Sequence, residues 1–364
     1  MIKPSDFISD LKPYIPGKPV EELERELGIK DCIKLASNEN PLGPSPLAFK
    51  AVLDHLQNSQ GTGAFSRYPD GSGYYLKMAL SEKLSVMEDE IILGNGSNEL
   101  IDIVVRSFLQ PGDEAVMAHP SFIVYPMSVK SAGAIPIKIP LKHHTHDLDA
   151  MADAVGPRTK MFFIASPNNP TGTINRKDEF DRLMKRLPDS ILVVMDEAYY
   201  EYVTDPDYAD SMKYFRDGRD ILILRTFSKI YGLAGLRIGY GVARKHIISE
   251  MNKIRPPFNT GTISQHAALW ALKDDMHIKS SREVNEQGKS YLYRKLELLG
   301  VNYIPTEANF IYIVLDREAN DVYNTLLKKG VIVRPVDSRE IRVTIGLPDE
   351  NRRFIKALKG VIGQ

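Results

Sequence analysis

From about residue 90 the chain settles into an alternation of apolar runs and amphipathic stretches. Short runs rich in Ile, Val and Phe recur at residues 90–93, 114–118, 135–139, 161–165, 191–195, 221–224 and 238–242. They are too short for helices, and most are continuous rather than alternating, the pattern of strands covered on both faces. Between them apolar residues recur at helical spacing. Residues 98–109 place Leu100, Ile101, Val104, Val105 and Phe108 on one face, and residues 176–187 do the same with Phe180, Leu183, Met184 and Leu187. Seven strands interleaved with helices predict an α/β layer fold on a mainly parallel sheet.

The rhythm changes after Arg255-Pro256-Pro257. One long helical stretch over 264–299 is followed by apolar runs at 310–315, 331–333 and 341–345, with helices near 319–329 and from Asp349 onward. This predicts a smaller α+β domain over 256–364, behind a large domain over 46–255. The first 45 residues are broken by Pro4, Pro13, Pro16, Gly17 and Pro19, then by Asn40-Pro41-Leu42-Gly43-Pro44-Ser45-Pro46. Such segments read as turns and extended backbone. They are expected to form an N-terminal arm packed with the small domain.

Composition narrows the function classes. With 364 residues, 43% of them hydrophobic, the chain can bury a large core without staples. Lys and Arg total 47, as do Asp and Glu, so the basic excess of a nucleic-acid binder is missing. The apolar runs fall far short of the roughly 20 residues of a membrane helix. One cysteine, Cys32, excludes an intramolecular disulfide and suits a reducing compartment. No apolar stretch of signal-peptide length stands at the start. The expectation is a cytoplasmic protein with small-molecule partners, neither nucleic acid nor membrane.

In an open parallel sheet, ligands bind beyond the carboxyl ends of the strands. Four polar sets follow the apolar runs directly: Gly94-Asn95-Gly96-Ser97-Asn98-Glu99, Ser166-Pro167-Asn168-Asn169-Pro170-Thr171-Gly172, Asp196-Glu197-Ala198-Tyr199 and Arg225-Thr226-Phe227-Ser228-Lys229. The first is a glycine turn opening a helix, whose free amides can bind phosphate. It departs from the dinucleotide fingerprint, because Glu99 stands where a third glycine belongs. Alone it reads more readily as a plain turn capped by Ser97 or Asn98. Asp196 alone reads as an ion-pair or cap residue, and Lys229 alone as a surface charge. Together they match pyridoxal phosphate, which needs an amine, an acid at its ring nitrogen and an anion cradle. Lys229 would be the amine and Asp196 the acid, while Asn169 and Tyr199 would hydrogen-bond the ring hydroxyl. Gly96, Ser97, Asn98, Thr226, Ser228 and Arg237 could hold the phosphate.

The same residues carry a family resemblance. Ser37-Asn38-Glu39-Asn40-Pro41-Leu42-Gly43-Pro44, Arg67-Tyr68-Pro69, the Ser166–Gly172 segment, Asp196-Glu197-Ala198-Tyr199, Ser228-Lys229 and Gly235-Leu236-Arg237-Ile238-Gly239 stand in the order of the fold-type I, pyridoxal-phosphate-dependent aminotransferases. Within that group the chain resembles the histidinol-phosphate aminotransferase family over nearly its whole length. The resemblance implies a homodimer with sites at the subunit interface, in which Tyr68 reaches the neighbour's cofactor phosphate. It implies Lys229 as the cofactor-bearing and proton-moving lysine, with Asp196 and Tyr199 as its catalytic partners. It places Phe122 as the ring that stacks on the cofactor. Arg342 is implied as the arginine for the substrate carboxylate, with Asn40, Arg334 and Tyr14 also at the substrate; Arg334 reads equally as a surface ion pair. The implied reaction moves an amino group between glutamate or 2-oxoglutarate and histidinol phosphate or imidazole-acetol phosphate, a step of histidine biosynthesis. Aromatic amino acid aminotransferases and threonine-phosphate decarboxylase share these motifs and remain alternatives.

Other classes explain less. A dehydrogenase would account for the sheet and glycine turn but not for Asp196, Lys229 and Asn169 together. A cofactor-binding regulator would need a DNA-binding module that the first 40 residues lack. His143-His144-Thr145-His146 is expected to be a solvated loop with Asp147 near a helix cap rather than a metal site. Gly288-Lys289-Ser290 lacks the leading glycine of a phosphate loop, since position 283 is Glu283. Trp270 is expected in the core.

Overall fold

The computed structural model describes residues 2–58 and 62–363; Met1, residues 59–61 and Gln364 lie outside the described residues. Five elements precede the large sheet: α1 (Val20–Leu27), β1 (Ile33–Lys34), α2 (Pro46–Asn58), α3 (Thr62–Phe65) and α4 (Tyr74–Leu84). Pro46 opens α2, where its fixed φ suits a first helical turn and its missing N–H is not needed.

The expected strand–helix rhythm follows as β2 (Ile91–Gly94), α5 (Ser97–Phe108), β3 (Glu114–His119), α6 (Val124–Ser131), β4 (Ile135–Pro140), α7 (Leu148–Asp153), β5 (Thr159–Ala165), α8 (Lys177–Arg186), β6 (Leu192–Asp196), α9 (Ser211–Arg216), β7 (Ile221–Thr226) and β8 (Gly239–Val242). These strands form one seven-stranded sheet in the order β2-β8-β7-β6-β5-β3-β4. All its pairings are parallel except those of β8, which runs antiparallel to both β2 and β7. The central strands β5, β6 and β7 are buried nearly throughout. One face packs Leu76, Leu80, Phe162, Phe180 and Leu183. The other packs Leu100, Ile101, Val104 and Tyr125 from α5 and α6.

The remaining elements are α10 (Lys245–Ile254), α11 (Thr262–Ala271), α12 (Asp275–Leu298), β9 (Asn302–Ile304), β10 (Phe310–Val314), α13 (Ala319–Lys328), β11 (Val331–Ile332), β12 (Arg334–Pro335), β13 (Glu340–Thr344) and α14 (Pro348–Ile362). An antiparallel sheet of order β12-β13-β10-β9 and the helices α12, α13 and α14 surround a second core that includes Leu296, Ile311, Val322 and Phe354.

One expectation is corrected. The helical stretch over 264–299 is two helices, because the Asp274 carboxylate accepts from the His277 N–H and starts α12 afresh. Beyond residue 256, Ala267, Ala268, Ala271 and Leu272 pack in the large core, while Leu292 and Leu296 of α12 pack in the second. The N-terminal arm serves both units. Its β1 pairs with β11 of the small unit, while Phe7 lies over Gly133 and Asp10 pairs with Lys130 of α6.

Candidate active site

Strand register brings the polar sets together. Ala165 lies beside Asp196 across β5 and β6. Gly239, the first residue of the antiparallel β8, lies between Thr226 of β7 and Gly94 of β2. The chain entering β8 therefore delivers Arg237 to the edge where β2, β6 and β7 end. Ser97, Asn98, Asn169, Asp196, Thr226, Ser228, Lys229 and Arg237 line one cleft of about 880 Å³, counted to its open mouth.

One end of the cleft is built for an anion. Gly96 precedes α5 with φ of 77° and has no side chain to satisfy the helix's first amides. A Cβ at Gly96 would lie 2.5 Å from Arg237 Nη2, and one at Gly239 would lie 2.6 Å from Ser97 N. Both glycines are therefore needed for the guanidinium and the helix start to meet. Arg237 Nη1 donates to Ser228 Oγ at 3.2 Å, and Thr226 Oγ1 donates to the same oxygen at 3.1 Å. Arg237 Nη1 also reaches Ala234 O at 3.0 Å, and no acidic side chain pairs with it among the described residues. Free amides, two hydroxyls and a guanidinium without an acidic partner could hold a phosphate.

The floor carries the titratable pair. Asp196 is buried at the end of β6. Burial pushes its carboxyl up to about 6, against the Tyr125 hydroxyl and Ala198 N–H that favour the ionised form. Lys229 Nζ donates to Ser37 O at 3.1 Å and sits 5.6 Å from the centre of the Tyr199 ring. Burial, then the nearby Arg342 cation, brings its ammonium down to about 7. Near neutrality this lysine is available as an uncharged amine.

The far wall is a hydrogen-bonded chain. Asn38 Nδ2 donates to Tyr199 Oη at 2.9 Å, so the phenol proton is left to donate elsewhere. Arg342 Nη1 donates to Asn169 Oδ1 at 2.5 Å, which leaves the Asn169 amide donors free. Arg342 Nη2 donates to Ala36 O at 2.6 Å, while its buried Nε has no partner among the described residues. Phe122 forms a flat side of the cleft. Tyr14 lines the cleft; Arg334 is not among the lining residues but lies 5.3 Å from the Tyr14 ring centre and donates to Ile15 O.

Two expected site residues stand elsewhere. Asn40 does not face the cleft: its Nδ2 donates to Ile230 O at 2.7 Å and Ser281 Oγ at 2.8 Å, and its Oδ1 caps Leu42 N–H, so it clamps the N-terminal turn. Tyr68 lies outside this chain's cleft, 82% exposed and stacked on Phe258 at 4.6 Å. Among the lining residues not expected at the site, Asn38 and Tyr125 contribute hydrogen-bonding side chains. Asn38 stands in the motif beside Asn40, and Tyr125 follows Phe122 at helical spacing, which is the signal that the two share a face.

The decoys resolve simply. Asp147 accepts from Ala150 N–H and caps α7. His146, expected in a solvated loop, is instead buried, and burial lowers its ring to about 4. Among the described residues no group of three or more His, Cys, Asp or Glu is placed to hold a metal ion. Lys289 is buried within α12, donating to Thr306 O. Trp270 is not core: it is 37% exposed under the Lys273 ammonium.

The donor set fits pyridoxal phosphate. The Gly96 cradle, which a single Cβ would fill, matches the phosphate; Lys229 matches the aldehyde carbon, and Asp196 the ring nitrogen. Comparison with known proteins agrees. The family model for aminotransferase class I and II matches residues 30–358. A histidinol-phosphate aminotransferase of Moorella thermoacetica is 49% identical over 98% of this chain and 92% of its own length. One of Caldicellulosiruptor saccharolyticus is 45% identical over 98% and 99%. The crystal structure of the histidinol-phosphate aminotransferase of Sinorhizobium meliloti in complex with pyridoxal-5′-phosphate superposes with a TM-score of 0.90 at 27% identity, covering 100% of this chain and 98% of that one.

Proposed function

This chain belongs to the class I and II aminotransferase family, and on that premise we propose that it is a pyridoxal-phosphate-dependent histidinol-phosphate aminotransferase. It exchanges an amino group between glutamate or 2-oxoglutarate and histidinol phosphate or imidazole-acetol phosphate. The observation that carries this reading is the convergence of Lys229, Asp196 and the Arg237 cradle in one cleft, in a chain 49% identical to a relative of that name. When bound, the cofactor supplies an electron sink that acidifies the substrate's α-carbon.

The chain's own residues do the rest. Lys229 Nζ, whose ammonium is brought down to about 7 by burial, takes the proton from the substrate α-carbon and would deliver it to the cofactor's C4′ carbon within the same half-reaction, the second half running this transfer in reverse. Asp196 keeps a proton on the ring nitrogen. The free amide of Asn169 and the free phenol proton of Tyr199 hold the ring oxygen. Ser97, Asn98, Thr226, Ser228 and Arg237 hold the phosphate, and Phe122 covers the ring. Arg342 has an unspent buried Nε and no acidic partner among the described residues, which suits a substrate carboxylate.

Tyr14 lines the cleft and Arg334 stands behind it, 5.3 Å from the ring centre, so the pair could meet the far end of a substrate. A guanidinium fork pairs bidentately with phosphate or carboxylate, so this end can serve both amino substrates. The test compares kcat/KM for histidinol phosphate, phenylalanine and phosphothreonine on wild type and Arg334→Lys. Wild type is expected to prefer histidinol phosphate. Loss of the fork is expected to lower that substrate about tenfold, or ~1.4 kcal/mol, and phenylalanine less. A wild-type preference for phenylalanine, or carbon dioxide release from phosphothreonine, replaces the substrate assignment. An equal loss on all three removes Arg334 from the phosphate end.

The enzyme works as a cytoplasmic homodimer. Phe49 and Leu53 of α2, Phe65 of α3, Tyr75 and Met78 of α4 and the Tyr68–Phe258 stack leave large apolar side chains exposed. A second copy would cover them. Among the described residues no helix is long and apolar enough to cross a membrane.

A further inference from the structure

The acid assigned to the ring nitrogen stands in a setting that opposes its charge. Asp196 ends an apolar strand and is 6% exposed. The charged and titratable groups around it are few. Glu197, next along the chain, is a like charge that disfavours ionisation, and Lys229 from the loop after β7 favours it. Tyr199 stands across the cleft and is held as a neutral phenol by burial. From α6 comes Tyr125, whose hydroxyl donates to Asp196 Oδ2 at 2.7 Å. Ala198 N–H reaches the other oxygen at a longer 3.2 Å.

Tyr125 is fixed in every direction. It is 1% exposed. Its ring stacks on Phe163 at 4.9 Å and 17°, and meets Phe122 edge-on at 5.6 Å and 84°. Burial and the adjacent carboxylate keep it a phenol, so it donates and does not compete as a second anion. We infer that Tyr125 is a positioning residue: its phenol holds Asp196 ionised, aims it into the cleft, and ties the acid to the Phe122 wall that covers the ring. This rests on the role proposed above for Asp196, and it adds a second layer that tunes the proton on the ring nitrogen. Without Tyr125, the shared proton would move from the nitrogen toward the carboxyl.

Tyr125→Phe removes one oxygen and keeps the packed ring. The carbonyl stretch of protonated Asp196 is titrated by infrared difference spectroscopy in the full cofactor-free chain, with Asp196→Asn identifying the band. Its midpoint is expected to rise by about one pH unit, a tenfold change in proton affinity. Fluorotyrosine placed at position 125, a near-isosteric and more acidic phenol, is expected to lower the midpoint, and it serves if the Phe variant does not fold. A second arm loads both proteins with ring-¹⁵N pyridoxal phosphate. The nitrogen is expected to be protonated in wild type and to shift toward neutral pyridine in the variant. A protonated wild-type nitrogen with an unmoved carboxyl midpoint overturns the Tyr125 role alone. An unprotonated wild-type nitrogen overturns the Asp196 role and this one with it.

Discussion

Lys229 owes its chemistry to what lies around it. A lysine in water is an ammonium at neutral pH; here the side chain is enclosed, and Arg342 adds a like charge. Both disfavour the charged form, so its titration is brought down to about 7. The sign is direct: below this pH Nζ is protonated and inert, above it Nζ is a free amine, well before ordinary lysines lose their proton near 10.4. Borohydride trapping of pyridoxal phosphate on the cofactor-free chain should therefore label Lys229 first. The initial rate should rise with pH through about 7. Label on another lysine, or a rate still climbing only above pH 9 as ~10.4 lysines do, would sink the assignment. Lys229, Asp196 and Asn169 were legible in the sequence because each lies in a polar set that follows an apolar run, and parallel strands deliver such sets to one edge. Tyr125 and Asn38 were not. Tyr125 comes from a helix whose orientation depends on Phe163 beneath it. The choice of Asn38 over Asn40 is made by Tyr199 on one side and Ile230 O on the other, contacts 161 and 190 residues away in sequence.

At the scale of elements, the phosphate end is a junction of two strands and a helix. β8 runs against its neighbours and starts where they end, so its first residue is pressed against the start of α5. Gly96 and Gly239 make that approach possible. Gly96→Ala puts a methyl group 2.5 Å from Arg237 Nη2 in a backbone of φ 77°. The guanidinium must leave the cradle or α5 must shift, at a cost of roughly 1–3 kcal/mol for strain of this kind. Affinity for pyridoxal phosphate, followed by its visible absorbance in equilibrium titration, should fall at least about tenfold, with far-ultraviolet circular dichroism unchanged. Wild-type affinity in a folded variant would remove Gly96 from the phosphate site. Most strands of this sheet could be read from apolar runs because burial on both faces leaves so plain a mark; the edge strand β4 is only partly buried and showed as alternation. The N-terminal helices were hidden. α1 is largely charged and follows a run of prolines, and α2 begins inside a proline cluster that reads as loop. The two-residue β1 is a strand only through β11, some 300 residues later.

At the scale of the whole molecule, the cleft draws on both cores. The large sheet supplies Asp196, Lys229 and the cradle, β13 of the small sheet supplies Arg342, and the arm that touches both units supplies Tyr14. One expected contributor, Tyr68, faces away from its own cleft with most of its surface in solvent. A large aromatic pair left that exposed is costly unless another surface covers it, and a twofold dimer would place each Tyr68 near the other copy's cleft. Subunit mixing separates this from a local role. Tyr68→Ala and Lys229→Ala homodimers should each be inactive or nearly so. In a heterodimer, one site combines Lys229 of one copy with Tyr68 of the other and is whole, while the second site lacks both. A statistical mixture should recover about a quarter of wild-type activity, since half the dimers are mixed and half their sites are intact. Sedimentation velocity on the mixture establishes that dimers have formed. Mixed dimers without recovered activity would mean that Tyr68 acts within its own subunit. Full activity of the Tyr68→Ala homodimer would mean that it serves only to bury its ring at the interface.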